Sequence, residues 1–205
     1  MKYIFIAGAP GSKWSSVAKN IYFSNSIDRT DYSEARTYRH DAPGAMHLMH
    51  MGAYFDPGME FDLPVDLTTL SKTELERRFD EPFSGTGVRI IKSHIFAHNI
   101  DFLKHSWPES PIILVHRSDD ACLGWWVKCG HFNITYPLYN DYYVDLKRMA
   151  KCIANQNQDI LSAWTKYPGM IPTDNYAMSH ILKLLPPPNE YHQNYTEADI
   201  DVKVI

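Results

Sequence analysis

The chain predicts an α/β fold of three layers, with helices on both faces of a central, mainly parallel sheet, and three observations carry that prediction. Three apolar runs of β-preferring residues, "KYIFIAG" (2–8), "VRIIKS" (88–93) and "PIILVHR" (111–117), lack polar alternation, as strands buried on both faces do. Each is followed by a stretch able to form a helix, over 14–26, 97–106 and 119–129. The third observation is the order itself, since strand, turn and helix in repetition give a doubly wound sheet.

The remaining elements follow along the chain. Between the first two runs lies an insertion, "HDAPGAMHLMHMGAYFDPGMEFDLP" (40–64), with neither a helical nor a strand period. Such segments near the carboxyl ends of strands build the substrate side of a cleft. "SKTELERRFDE" (71–81) reads as a short amphipathic helix with Ser71 as N-cap and Glu74 at the capping-box position. The longest helix is expected over 142–167, with Leu146, Met149, Ile153, Ile160, Leu161 and Trp164 at broadly helical spacing, and "PGMIP" ends it. A last helix over 175–185 is stopped by three prolines, and the polar residues after them read as a tail or an edge strand. One domain over 1–205 is expected, since a chain of this length can bury a core without disulfides or metal.

Composition narrows the function. A formal net charge of -4 argues against a protein that holds nucleic acid by neutralising phosphates, while leaving room for a local basic pocket for one small anion. Three cysteines, Cys122, Cys129 and Cys152, have no paired-ligand spacing, which suggests neither a disulfide framework nor zinc. No apolar run approaches the roughly 18 residues of a membrane span, and the first residues lack the flank of a signal peptide, so a cytoplasmic protein is expected.

Three strand ends carry the candidate chemistry. "AGAPGSKWSS" (7–16) is a glycine-rich turn leading into a helix, and backbone N–H groups with the helix N-terminus make an anion site there. As a nucleotide triphosphate loop it misfits: counted from Gly8, Lys13 occupies the glycine position and Trp14 the lysine position. The second run ends in Lys92-Ser93-His94, where a histidine can take a proton near neutral pH and a lysine can offset charge on a transferred group. The third ends in "HRSDDACLGWW" (116–126), where the fork of Arg117 suits a phosphate and the following helix carries Gly124 and Trp125.

These motifs together resemble the sulfotransferases that use 3′-phosphoadenosine 5′-phosphosulfate, over about residues 2–130. The family loop written P-K-S-G-T-T-W corresponds to Pro10-Gly11-Ser12-Lys13-Trp14-Ser15-Ser16, its K-T-H to Lys92-Ser93-His94, and its strand-end arginine to Arg117. Lysine and glycine are exchanged within the loop, Trp14 replaces a small hydroxyl, and the serine that grips the 3′-phosphate falls on Gly124 or Trp125. The carboxyl-terminal R-K-G-x-x-G segment of the family is missing.

The resemblance implies a P-loop-like nucleotide-binding fold of the sulfotransferase type. It implies that Gly11, Ser12, Lys13, Trp14, Ser15 and Ser16 hold the 5′-phosphosulfate, and that Arg117 with the Gly124–Trp125 region holds the 3′-phosphate. His94 would then be the general base, with Lys13 and Lys92 offsetting charge and no metal taking part. A small organic acceptor would sit against the insertion, lined by His47, His50, Tyr54 and Phe55. His47 and His50, with His40, could suggest a metal, but the spacing of His47 and His50 on a segment without a carboxylate or cysteine as third ligand makes that a weak reading. Two rival readings are a small-molecule kinase using ATP and magnesium, and a nucleotide-binding module without turnover.

Overall fold

A computed structural model of the protein describes residues 1–31, 52–129, 138–185 and 199–205. Its elements are β1 (Tyr3–Gly8), α1 (Trp14–Tyr22), β2 (Ala53–Tyr54), α2 (Lys72–Asp80), β3 (Arg89–Lys92), α3 (Ile100–Ser106), β4 (Ile112–His116), α4 (Asp119–Lys128), α5 (Tyr139–Tyr142), α6 (Leu146–Lys166), α7 (Asn175–Ile181) and β5 (Asp201–Val204). Short 3₁₀ turns over Leu67–Thr69 and His94–Asn99 lead into α2 and α3.

The five strands form one mixed sheet in the order β2-β3-β1-β4-β5. The first four are parallel, with Phe5 opposite Ile91 on one side and Ile112 on the other, and β5 closes the β4 edge antiparallel. The chain passes from β1 to β2 and β3 on one side and then from β3 across to β4 on the other, so the direction of the connections reverses at β1. Its carboxyl end is the topological switch point, the place where ligands bind in open α/β sheets.

Alternation along β1 divides the core. Ile4 and Ile6 pack with Val17, Ile21, Trp126 and Met178 under α1, α4 and α7. Tyr3, Phe5 and Ala7 pack with Phe79, Phe96, Leu103 and Trp107 under α2 and α3. The sheet is therefore covered by helices on both faces, and every residue of β1 is buried.

Ser71 caps α2 by accepting from the Glu74 amide, and α6 begins when Asp145 accepts from the Arg148 amide. The helix expected over 142–167 begins later, at Leu146, because Tyr143 to Asp145 break from helical geometry and Asp145 caps α6. The two residues of β2 lie inside the stretch expected to be irregular. They are held by pairing with Ile91 and Lys92 rather than by any period of their own. The final residues are the edge strand β5. No helix among the described residues is long and apolar enough to cross a membrane.

Candidate functional site

At the switch point the turn after β1 is built by proline and glycine. The Ser12 amide donates to the Ala9 carbonyl at 3.0 Å across Pro10-Gly11, with Gly11 at φ 81 as the third turn position requires. A side chain at Gly11 would also place its Cβ 1.9 Å from the Cys122 carbonyl oxygen, so the turn lies directly on α4. Lys13 then takes the left-handed conformation, φ 61 and ψ 23, as the residue that opens α1 without a side-chain cap. A non-glycine residue there stores strain of about 1–2 kcal/mol.

Two side chains from neighbouring strand ends clasp this turn. His94, just after β3, sets Nδ1 2.5 Å from the Gly8 carbonyl oxygen. Arg117, just after β4, donates through Nη1 to the carbonyls of Gly11 at 3.1 Å and Ala121 at 3.0 Å. The three motifs singled out in the sequence are thus contiguous in space. The Arg117 Nε and the Ser12 hydroxyl are buried with no hydrogen-bond partner among the described residues.

The surroundings of His94 are tight. Its ring is 4 % exposed and stacks on Trp14, with centroids 3.9 Å apart and planes within 13°, while Tyr54 meets it edge-on at 5.6 Å. Burial, with a smaller contribution from the Lys92 charge, pushes its pKa below the usual histidine value, while Asp56 and the Gly8 carbonyl oppose that change. A carbonyl only accepts, so Nδ1 carries the proton and Nε2 the lone pair. Asp56 lies beyond Nε2, its Oδ2 3.9 Å away.

Asp56 is the residue the sequence reading missed. Its Oδ1 accepts from the Ser93 hydroxyl and the His94 amide, and its Oδ2 from the hydroxyls of Tyr54 and Tyr143, all four at 2.8 Å. It is fully buried and ties β2, the end of β3 and the residue after α5 together. In "YFDPG" an aspartate before proline reads as a turn former, and nothing local marks it as a hub.

The other expected residues are placed as follows. Lys92 is fully buried at the end of β3. The Lys13 ammonium lies 4.8 Å from the centre of the Trp125 ring, and its pKa is lowered by burial and then by Arg117. Ser15 and Ser16 are buried in the first turn of α1. Gly124 is exposed, and a Cβ there would meet nothing within 4 Å.

Tyr54 joins the His94 cluster, whereas Phe55 points to the other face of the sheet, against Phe61 and Phe79. Alternation along β2 sends the two rings apart, so only Tyr54 is brought to the site. His47 and His50 lie outside the described residues. Among the described residues no group of three histidine, cysteine or acidic side chains is placed to hold a metal ion. Burial pushes the Cys122 thiol up to about 12, which leaves it a packing residue rather than a nucleophile.

The arrangement offers a strained, amide-rich turn, two cations beside it and one histidine with a directed lone pair. That set can hold an anionic group and take a proton from a nucleophile next to it. No protein-family model, no curated protein and no solved structure matches the chain.

Proposed function

We propose that the chain binds 3′-phosphoadenosine 5′-phosphosulfate at the carboxyl edge of β1 and transfers its sulfuryl group to a hydroxyl or amine of a small organic acceptor. The observation that carries this reading is the clasp on the turn: His94 on the Gly8 carbonyl and Arg117 on the Gly11 carbonyl, one from each strand flanking β1. The turn's amides other than those of Ser12 and Ser16, which meet the Ala9 and Lys13 carbonyls, would hold the phosphosulfate with the Lys13 ammonium, and Arg117 with exposed Gly124 and half-buried Trp125 would lie toward the 3′-phosphate.

In the transfer, the acceptor's O–H or N–H proton passes to Nε2 of His94 as the acceptor atom bonds to sulfur. The bond between sulfur and the bridging phosphate oxygen breaks, and adenosine 3′,5′-bisphosphate leaves. Lys13 would swing from Trp125 to meet charge on that oxygen, and Lys92 would offset charge on the transferred group. Magnesium-dependent phosphoryl transfer fits less well, because the acidic residues it would use, Asp119 and Asp120, follow Arg117 in the first turn of α4, where Asp119 Oδ1 already accepts from the Asn157 side-chain amide at 2.6 Å.

The test is transfer from the phosphosulfate donor to a panel of phenols, alcohols and amines, with wild type and His94→Ala. Sulfated product with wild type, and donor binding without product in the variant, is the expected result. Equal turnover by the variant would remove His94 from the chemistry. Hydrolysis of ATP with magnesium in place of sulfation would favour the kinase reading.

A further inference from the structure

The geometry points to Asp56 as the residue that makes His94 a usable base: it fixes the backbone that carries the ring and supplies the counter-charge for the imidazolium. The inference rests on the role proposed for His94 above, but concerns a property of the protein that needs no donor or acceptor to observe.

The two carboxylate oxygens divide the work. Oδ1 receives the Ser93 hydroxyl and the His94 amide, so the turn that leaves β3 is anchored at two successive residues. Oδ2 receives the two tyrosine hydroxyls and lies 3.9 Å from Nε2. With Nδ1 held by the Gly8 carbonyl, the ring cannot turn away without losing that bond. At 3.9 Å the pair is too long for a direct hydrogen bond, so Asp56 leaves the Nε2 position untied while keeping a negative charge beside it.

Among the described residues, several groups around the ring enter this balance. Lys92, at the end of β3, opposes protonation of His94, as does burial. Asp56 and the Gly8 carbonyl favour it. Tyr54 from β2 and Tyr143 from the end of α5 act on the ring through Oδ2, by withdrawing part of its charge. Trp14 covers one face of the ring and brings no charge. Removing the carboxylate charge and removing a hydroxyl that shares it therefore displace His94 in opposite directions. A purely structural role for Asp56 has no reason to produce that pair of signs.

The experiment is an NMR titration of the full chain with ring-labelled histidine, the His94 signal being assigned by its loss in His94→Gln. Asp56→Asn keeps the size of the side chain and an oxygen able to accept from Ser93 and the His94 amide. It is expected to lower the His94 midpoint by about one pH unit or more. Tyr143→Phe is expected to raise it by a few tenths of a pH unit, and it decides the matter alone if Asp56→Asn does not fold. A midpoint unmoved by Asp56→Asn, a fall or no change in Tyr143→Phe, or a wild-type ring neutral down to the pH of acid unfolding would each overturn the inference.

Calorimetric titration with adenosine 3′,5′-bisphosphate separates this inference from the proposed function. Shifted midpoints without bisphosphate binding would sink the transferase reading and leave Asp56 as the partner of His94. Binding with unmoved midpoints would do the reverse.

Discussion

The aromatic layer under one face of β1 and the turn at its carboxyl end are built from neighbouring residues of one strand, yet they obey opposite rules. Phe5 lies within 5.5–5.8 Å, ring centre to ring centre, of Tyr3, Phe79, Phe96 and Trp107, mostly at the tilted or edge-on angles that aromatic pairs favour. Even the polar tips are met there, the Tyr3 hydroxyl by Asp80 and the Trp107 indole N–H by Glu76. Four residues beyond Phe5 the chain enters a turn with a left-handed lysine, a histidine stacked face-on to tryptophan, and buried polar atoms of Ser12 and Arg117 with no hydrogen-bond partner among the described residues. One region satisfies the packing and polar rules and the other departs from them, the kind of departure expected at a functional site.

That contrast can be broken at its stable end first. Phe5→Ala should destabilise the protein by about 3–5 kcal/mol, because a fully buried ring is lost among packed neighbours that cannot collapse into the space. Chemical denaturation checks it, and a loss of under about 1 kcal/mol would mean that the aromatic layer is loosely packed. At the turn, Gly11→Ala meets both a positive φ and a backbone oxygen of α4. A loss of about 1–3 kcal/mol is expected in the same measurement.

Lys13→Gly separates the two rules within one residue. Relief of the left-handed strain should raise stability by up to about 1 kcal/mol, while the cation proposed to meet the phosphosulfate disappears. Higher stability with weaker bisphosphate binding is the outcome that fits a functional residue kept at a structural cost. A variant both less stable and unchanged in binding would assign Lys13 to packing.

The pH dependence has a defined sign. The folded protein holds His94 below its ordinary pKa through burial, so near and below pH 6.5 the unfolded chain binds the proton more readily. Stability from this residue is complete above that pH and falls as acid is added through the window beneath it. The difference in unfolding midpoint between wild type and His94→Gln should therefore change between pH 7.5 and pH 5. The smallest expected effect is Gly124→Ser, which adds a hydroxyl beside the proposed 3′-phosphate position, at a helix position with open space above it. A gain of about 0.5 kcal/mol in stability, from helix propensity, should accompany tighter bisphosphate binding.

The same two regions differ in how far the sequence revealed them. β1, β3 and β4 stand out as apolar runs because burial on both faces removes the need for alternation, and Ser71 with Glu74 announces the start of α2. The three motifs at the turn were legible for a related reason, each following directly on such a run. β2 was not, since two residues paired to β3 have no period to display. Asp56 was hidden because its meaning lies in partners 37 and 87 residues away, Ser93 and Tyr143, which only the fold assembles. Phe55 was assigned to the acceptor wall with Tyr54 because a sequence does not say which side of a strand faces a cleft until the strand itself is recognised.

The most direct measurement on the central claim is calorimetric titration of the chain with adenosine 3′,5′-bisphosphate, and separately with ATP and magnesium, for wild type and Lys13→Ala. Saturable binding of the bisphosphate, weakened by roughly tenfold in the variant as the loss of one charge-assisted contact implies, is the result expected. Binding of ATP with magnesium but not of the bisphosphate, or bisphosphate binding indifferent to Lys13, would contradict it.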